Sequence, residues 1–207
     1  MEKSRIFEET YRKYLAEIGT IDYLAKAEIL GVERDGDKLI IPLYDRRYLV
    51  SAAGISSVEG EKTTTAVRVI LSRYVLHCQN VVELSEDPYK TFRDFRNASP
   101  LISYFTTNTN KTLEHTFAGN RDLLVKACLE LGGVEQENSS YDCSIVFHAL
   151  PKIPVVLNFN DKDDMFPAAC SILYRASAEH FLDMECLAMT GTLLSGRLIR
   201  NKDCFSS

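Results

Sequence analysis

Arg93 and Asp94 lie between Phe92 and Phe95, and Asp161, Asp163 and Asp164 crowd a short stretch that closes at Pro167. A guanidinium set in an apolar wall can orient an anionic ligand through its planar fork of donors. Two close carboxylates can hold a hard cation. Arg93, Asp94, Asp163 and Asp164 are therefore the candidate ligand-binding residues. A joint site needs all four to converge on one concave pocket. Each also has a plainer account. Arg93 and Asp94 could pair structurally, and the acidic stretch could be a solvated hairpin loop. The calcium-loop pattern fails there, because no Gly or terminal Glu stands at the required offset. Asp142, between a Ser-Ser turn and an apolar run, reads as turn chemistry.

The histidines are His77, His115, His148 and His180. No H-E-x-x-H or H-x-x-E-H pattern occurs, which excludes a helical zinc site. His148 alternates with Phe147 and reads as an exposed or satisfied strand residue. Glu179-His180 precedes the last helix, and the imidazole could titrate near neutral pH. G-x-S-x-G, G-x-x-x-x-G-K-[ST] and G-x-G-x-x-G are all missing, so serine hydrolase, P-loop and Rossmann readings have no support. The cysteines Cys78, Cys128, Cys143, Cys170, Cys186 and Cys204 form no C-x-x-C pair, which removes zinc-ribbon and iron–sulfur spacings. Cys78, Cys128 and Cys186 fall on apolar helix faces, where a thiol acts as a small hydrophobe. All six read as reduced, with a spatially assembled metal site as the alternative. No catalytic residue and no metal ligand is assigned, and any cofactor is unknown.

These residues must be positioned by a chain of 207 residues, which suits one domain spanning 1–207. A chain of this size buries roughly 70% of its unfolded surface and needs no disulfide or metal to fold. Its 24 Lys and Arg against 29 Asp and Glu leave a net charge of −5. That balance argues against nucleic-acid binding, which needs clustered Lys and Arg. The pair Arg46-Arg47 is too short to reverse it. Met1-Glu2-Lys3-Ser4-Arg5 leads into no apolar h-region, so no signal peptide is expected. No run approaches the roughly 18 apolar residues of a membrane span. The chain reads as cytoplasmic, with no membrane and no nucleic acid among its partners.

The periodicities predict an α+β fold with helices near 4–18, 20–30, 63–78, 121–131 and 183–200 and strands near 32–51 and 143–175. Phe7, Tyr11, Tyr14, Leu15 and Ile18 recur at helical spacing. Thr20 is the expected cap of the second helix. Turns at Asp35-Gly36 and Asp45-Arg46 make residues 32–51 a three-stranded meander, with Pro42 at an edge or bulge. Val67, Ile70, Leu71, Tyr74 and Cys78 form one stripe, with Arg68 and Ser72 away from it. Residues 81–117 are less regular, with a Ser99-Pro100 break and a polar run at 106–111. Asn120 is the expected cap of the next helix, and Gly132-Gly133 ends it. Leu182, Asp183 and Leu187 read as staple, N-cap and staple partner, and the last helix fades near Arg200. Close turns imply antiparallel pairing, and the nearly all-apolar strand 155–159 is central.

Several segments resemble an uncharacterised domain-of-unknown-function family (family thirty-seven eighty-six) of anaerobic bacteria and archaea. The similar pieces are Pro42-Leu43-Tyr44-Asp45-Arg46-Arg47-Tyr48-Leu49-Val50-Ser51, the helix 67–76, Phe92-Arg93-Asp94-Phe95 and Leu131-Gly132-Gly133. To these are added Leu150-Pro151-Lys152-Ile153-Pro154, Asp163-Asp164-Met165-Phe166-Pro167-Ala168, Ser177-Ala178 and Phe181-Leu182. They span about residues 30 to 200. Some members resemble fusions with an iron–sulfur module, and some resemble neighbours of corrinoid-dependent methyl-transfer systems. The family pattern implies a carboxylate where Met165 stands, an aromatic where Asn158 and Asn160 flank Phe159, and Asp where Arg175 stands. What the resemblance implies is a non-catalytic ligand-binding or accessory domain linked to anaerobic one-carbon or corrinoid metabolism. Two alternatives stay open: a small enzyme with a polar Arg/Asp site, and a homodimeric protein-interaction module. The expected partner is accordingly a small anionic ligand, another protein or a second copy of the chain.

Overall fold

The computed structural model describes residues 2–78 and 86–205. Two antiparallel sheets organise the chain. The first has the order β1-β2-β3-β4, from strands β1 (Glu33–Asp35), β2 (Lys38–Leu43), β3 (Arg46–Ser51) and β4 (Gly54–Ser57). The second has the order β5-β9-β8-β7-β6, from β5 (Tyr89–Thr91), β6 (Val134–Glu135), β7 (Cys143–Leu150), β8 (Ile153–Asn160) and β9 (Ala169–Arg175). The helices are α1 (Glu2–Gly19), α2 (Ala27–Leu30), α3 (Thr65–His77), α4 (Ile102–Phe105), α5 (Thr112–Phe117), α6 (Arg121–Glu130) and α7 (Met184–Phe205). This is the α+β class. No described helix is long and apolar enough to cross a membrane.

The expected central strand is central: β8 lies between β7 and β9, and Val155, Val156, Leu157 and Phe159 are all buried. A strand covered on both faces loses the alternation of a half-exposed one. Val155 stands opposite both Phe147 and Tyr174, which fixes the register across the three strands. Asn158 is also buried, where its side-chain oxygen accepts from the Ser144 hydroxyl at 2.7 Å. One hydrophobic cluster runs through both sheets and the helices.

The meander has four strands rather than three, because the chain turns again at Ala52-Ala53 to add β4. Both earlier turns sit one residue from their expected centres. Gly36-Asp37 joins β1 to β2, with Gly36 at φ 59°, and Tyr44-Asp45 joins β2 to β3. Pro42 pairs with Arg47 on one side and lies beyond the end of β1 on the other, so its missing N–H leaves no gap in the ladder. Thr20 caps nothing downstream. Its hydroxyl donates to the Glu17 carbonyl, and Asp22 accepts from the Ala25 amide.

The turn at Tyr44-Asp45 ties the two sheets to α7. Tyr44 has φ 57°, the only positive value among the described non-glycine residues. That conformation is uncommon for a bulky side chain, and several contacts hold it. The Tyr44 amide donates to the Ala149 carbonyl, and its hydroxyl donates to the Thr190 carbonyl at 2.9 Å. Its ring packs edge-on against Phe147 at 6.3 Å. Arg197, 5% exposed, donates to the Leu43 carbonyl, to Asp45 and to the Tyr48 hydroxyl while lying 5.6 Å over the Tyr44 ring. Both terminal nitrogens of this buried guanidinium have partners, as a buried charge requires.

Helix α3 starts where the sequence indicates, with the Thr64 hydroxyl accepting from Val67 N. Ser72 is fully buried as well as the expected stripe, because α1 and α7 both pack on this helix. The Ser72 hydroxyl has no partner among the described residues. Helix α7 runs past Arg200 to Phe205.

Candidate functional site

The segment that carries Arg93 begins at the edge strand β5, where Thr91 pairs with Leu173 of β9. A tight helical turn, Phe92–Asp94, follows, and Asp94 caps it by accepting from the Thr91 amide at 3.1 Å and the Thr91 hydroxyl at 2.6 Å. Phe92 and Phe95 are both buried. Phe92 stacks on Phe105 with centroids 4.3 Å apart and planes 12° from parallel. With the two rings pinned inward, Arg93 and Arg96 stand outward. Neither forms a hydrogen bond or ion pair among the described residues.

Arg93 opens onto a cleft of about 310 Å³. Its apolar lining comes from Phe92, Phe105, Ile102 and Ile172, and its polar lining from Thr91, Thr106, Asn110 and Ser171. One wall is unusual. The polar run Thr106–Lys111, expected to be irregular, is a π-helical turn set between α4 and α5. Such wide turns are rare and concentrate at functional sites. Thr109 Oγ1 and Asn110 Oδ1, both in this turn, are buried without a hydrogen-bond partner, and Ser72 Oγ completes the set of such atoms among the described residues. An unsatisfied buried polar atom costs about 1–3 kcal/mol, so two in one turn mark local strain in the wall.

A second cleft, about 720 Å³, is lined by the next stretch of the same segment. Arg96 and Asn97 enter it from one side, His77 from the end of α3, and Glu179, His180, Asp183 and Glu185 from the approach to α7. Asp183 is the expected N-cap: it accepts from the Cys186 amide at 2.8 Å and from Arg73 Nε at 2.7 Å. Burial alone would raise its pKa, but the Cys186 amide and the Arg73 guanidinium together hold it below the ordinary carboxylate value. His77 is fully engaged. Its Nδ1 lies 3.4 Å from Arg73 Nη2, and its Nε2 lies 3.1 Å from the Glu179 carbonyl. A guanidinium only donates, so Nδ1 accepts and the proton sits on Nε2. His180 has no such partner among the described residues.

The four candidate residues divide between two places. Arg93 and Asp94 share one turn, but Asp94 is occupied with Thr91. Asp163 and Asp164 lie in the loop between β8 and β9, and neither lines the Arg93 cleft. No described hydrogen bond or ion pair links the two groups. Asp163 accepts from the Met165 and Phe166 amides at 2.8 and 2.7 Å, which shapes its own loop and leaves Met165 81% exposed. Asp161 supplies the cap expected of Asn120, accepting from the Gly119 and Arg121 amides at the start of α6. Asp142, expected to shape the turn before β7, instead spends its carboxylate across the β7–β8 pair, accepting from the Asp161 amide at 2.7 Å. Arg175 donates to the Asp87 carbonyl and lies 4.1 Å over the Tyr89 ring. Asn110, Thr106 and Arg96 line the two clefts without belonging to any site expected from the sequence. Arg96, three residues after Arg93 in a Phe-Arg-Asp-Phe-Arg run, carried the clearest signal.

Cys78, Cys128, Cys143, Cys170 and Cys186 are buried thiols, and Cys204 is exposed. Burial pushes the Cys143 pKa up to about 11 and those of Cys128, Cys170 and Cys186 well above the ordinary thiol value. Such thiols are poor nucleophiles. Among the described residues no group of three or more His, Cys, Asp and Glu is poised to hold a metal ion. His148 points outward between buried Phe147 and Ala149.

No curated protein and no solved structure is similar enough to match this chain. The family model described as "Domain of unknown function (DUF3786)" matches residues 22–197, which include both clefts, the Tyr44 turn and the acidic loop, and the protein belongs to that family.

Proposed function

We propose that the domain binds a small ligand carrying a carboxylate on a short apolar body, and that it does so in the Arg93 cleft as a non-catalytic ligand-binding or accessory domain. One observation carries this reading. Among the described residues the Arg93 guanidinium has no partner, and it faces a cleft whose wall is a π-helical turn holding two buried side-chain polar atoms that also lack one. The guanidinium fork suits a carboxylate, and the Phe92, Phe105, Ile102 and Ile172 lining suits the apolar body. The volume lies near the lower end of the roughly 300–1,000 Å³ typical of ligand sites, so the whole ligand, or the part that enters, is small. In the corrinoid-linked, anaerobic setting that the family resemblance implies, folates are natural members of a test panel, since they carry carboxylates beside an aromatic body.

The test is a thermal-shift panel of acetate, propionate, benzoate, succinate, folates, cobalamins and inorganic phosphate. Binding to the native state raises Tm by mass action. A carboxylate in the panel should raise Tm in the wild type and not in Arg93→Gln. Equal shifts in both proteins would remove Arg93 from the site, and silence across all the carboxylates would end the proposal.

A further inference from the structure

The second cleft contains unpaired charges of both signs. Arg96 reaches it from the turn that follows Phe95, and Glu179 and Glu185 reach it from the approach and first turn of α7. Among the described residues none of these three side chains forms a hydrogen bond or ion pair, with each other or with anything else. The other charges there are already matched. Asp183 is paired with Arg73 at 2.7 Å, and both nitrogens of His77 are engaged by Arg73 and the Glu179 carbonyl. That leaves a free guanidinium, a free imidazole on His180 and two free carboxylates around about 720 Å³.

A simple anion fits this lining poorly, because Glu179 and Glu185 repel it. A simple cation is repelled by Arg96. A ligand that carries both charges satisfies both sides at once. We infer that this cleft binds a small zwitterion of the α-amino-acid class, with its carboxylate on Arg96 and His180 and its ammonium on Glu179 or Glu185. Charge-assisted hydrogen bonds are the strong polar contacts available to such a ligand. His77 is a positioning residue here: its Nε2–H fixes the Glu179 backbone and so sets where that carboxylate can reach. The inference stands on Arg96, Glu179, Glu185 and His180 and is independent of the Arg93 cleft.

The experiment follows the His180 imidazole C2–H signal by NMR, assigned by its loss in His180→Gln. The free L-α-amino acids are titrated singly, each beside the matching acid without its amino group and the matching amine without its carboxylate. At least one amino acid should move the signal saturably. Each of its two half-ligands should bind about tenfold or more weakly, since each lacks one charged hydrogen bond. Arg96→Gln and the double substitution Glu179→Gln/Glu185→Gln should each weaken binding about tenfold or more, and Arg93→Gln should leave it intact. His77 retaining its signal in every variant confirms that the fold is kept. The inference is overturned if no amino acid perturbs His180, if a half-ligand matches its parent, or if Arg96→Gln binds as well as the wild type.

Discussion

The buried turn around Tyr44 and the open turn around Arg93 are built from the same kinds of residue and end in opposite states. Both set an Arg beside aromatic rings and an Asp. At the Tyr44 turn, Arg197 reaches the Leu43 carbonyl, Asp45 and the Tyr48 hydroxyl, and even the strained Tyr44 backbone is tied down by the Ala149 carbonyl. At the other turn, Asp94 serves Thr91 and Arg93 is left unpaired beside a cleft. A fully satisfied polar group explains itself as architecture. An exposed guanidinium beside a cleft whose wall holds the buried, unpartnered Thr109 and Asn110 oxygens asks for a ligand.

The contrast predicts opposite mutational behaviour. The largest effect is expected at the lock. Arg197→Met strands buried acceptors and leaves Asp45 without its partner, and it should destabilise the fold by about 3 kcal/mol, read from urea unfolding. A stability unchanged within about 0.5 kcal/mol would show that the lock is not needed.

Next comes Gly191→Ala in α7, behind the Arg93 cleft. An added Cβ would lie 2.5 Å from the Phe105 ring and 3.0 Å from the Tyr174 hydroxyl. Overpacking of this kind costs about 1–3 kcal/mol. Because Phe105 stacks on Phe92, the change should also weaken any carboxylate shift seen in the wild type.

A smaller loss belongs to Asp183→Ala, which removes the α7 cap and should cost about 1–2 kcal/mol. Its pH dependence has a definite sign. The folded-state pKa of Asp183 is depressed, so its contribution is present above the unfolded value and is lost as pH falls through the lower folded one. Between neutral pH and strongly acid solution the wild type should therefore lose stability more steeply than Asp183→Asn. Parallel unfolding curves across that window would contradict the assignment. The smallest stability effect is expected for Arg93→Gln and Arg96→Gln, within about 0.5 kcal/mol of the wild type by the same urea measurement, as for exposed, unpaired side chains.

The same contrast governs what the sequence could convey. Local signals came through: the Asp183 cap, the apolar stripe of α3, the central apolar strand β8 and the two expected hairpin turns within one residue. They depend on neighbours a few positions apart. The Asp161 cap of α6 did not come through, because its partners lie 40 and 42 residues away. The lock was equally hidden, since Arg197 meets Leu43 across 154 positions. Within the candidate site, Arg93 was legible from its phenylalanine frame. Asn110 and Thr106 were not, because a π-helical turn leaves no periodic hydrophobic pattern in TTNTNK to betray it.

The most direct test of the contrast is the Arg93 Nε–H resonance in an ¹⁵N correlation spectrum, assigned by its loss in Arg93→Gln and followed through titration with the best carboxylate of the panel. The account predicts a saturable shift of Arg93 while the Arg197 signal stays fixed. A shift that grows linearly without saturation, or one no larger at Arg93 than at Arg197, would contradict it.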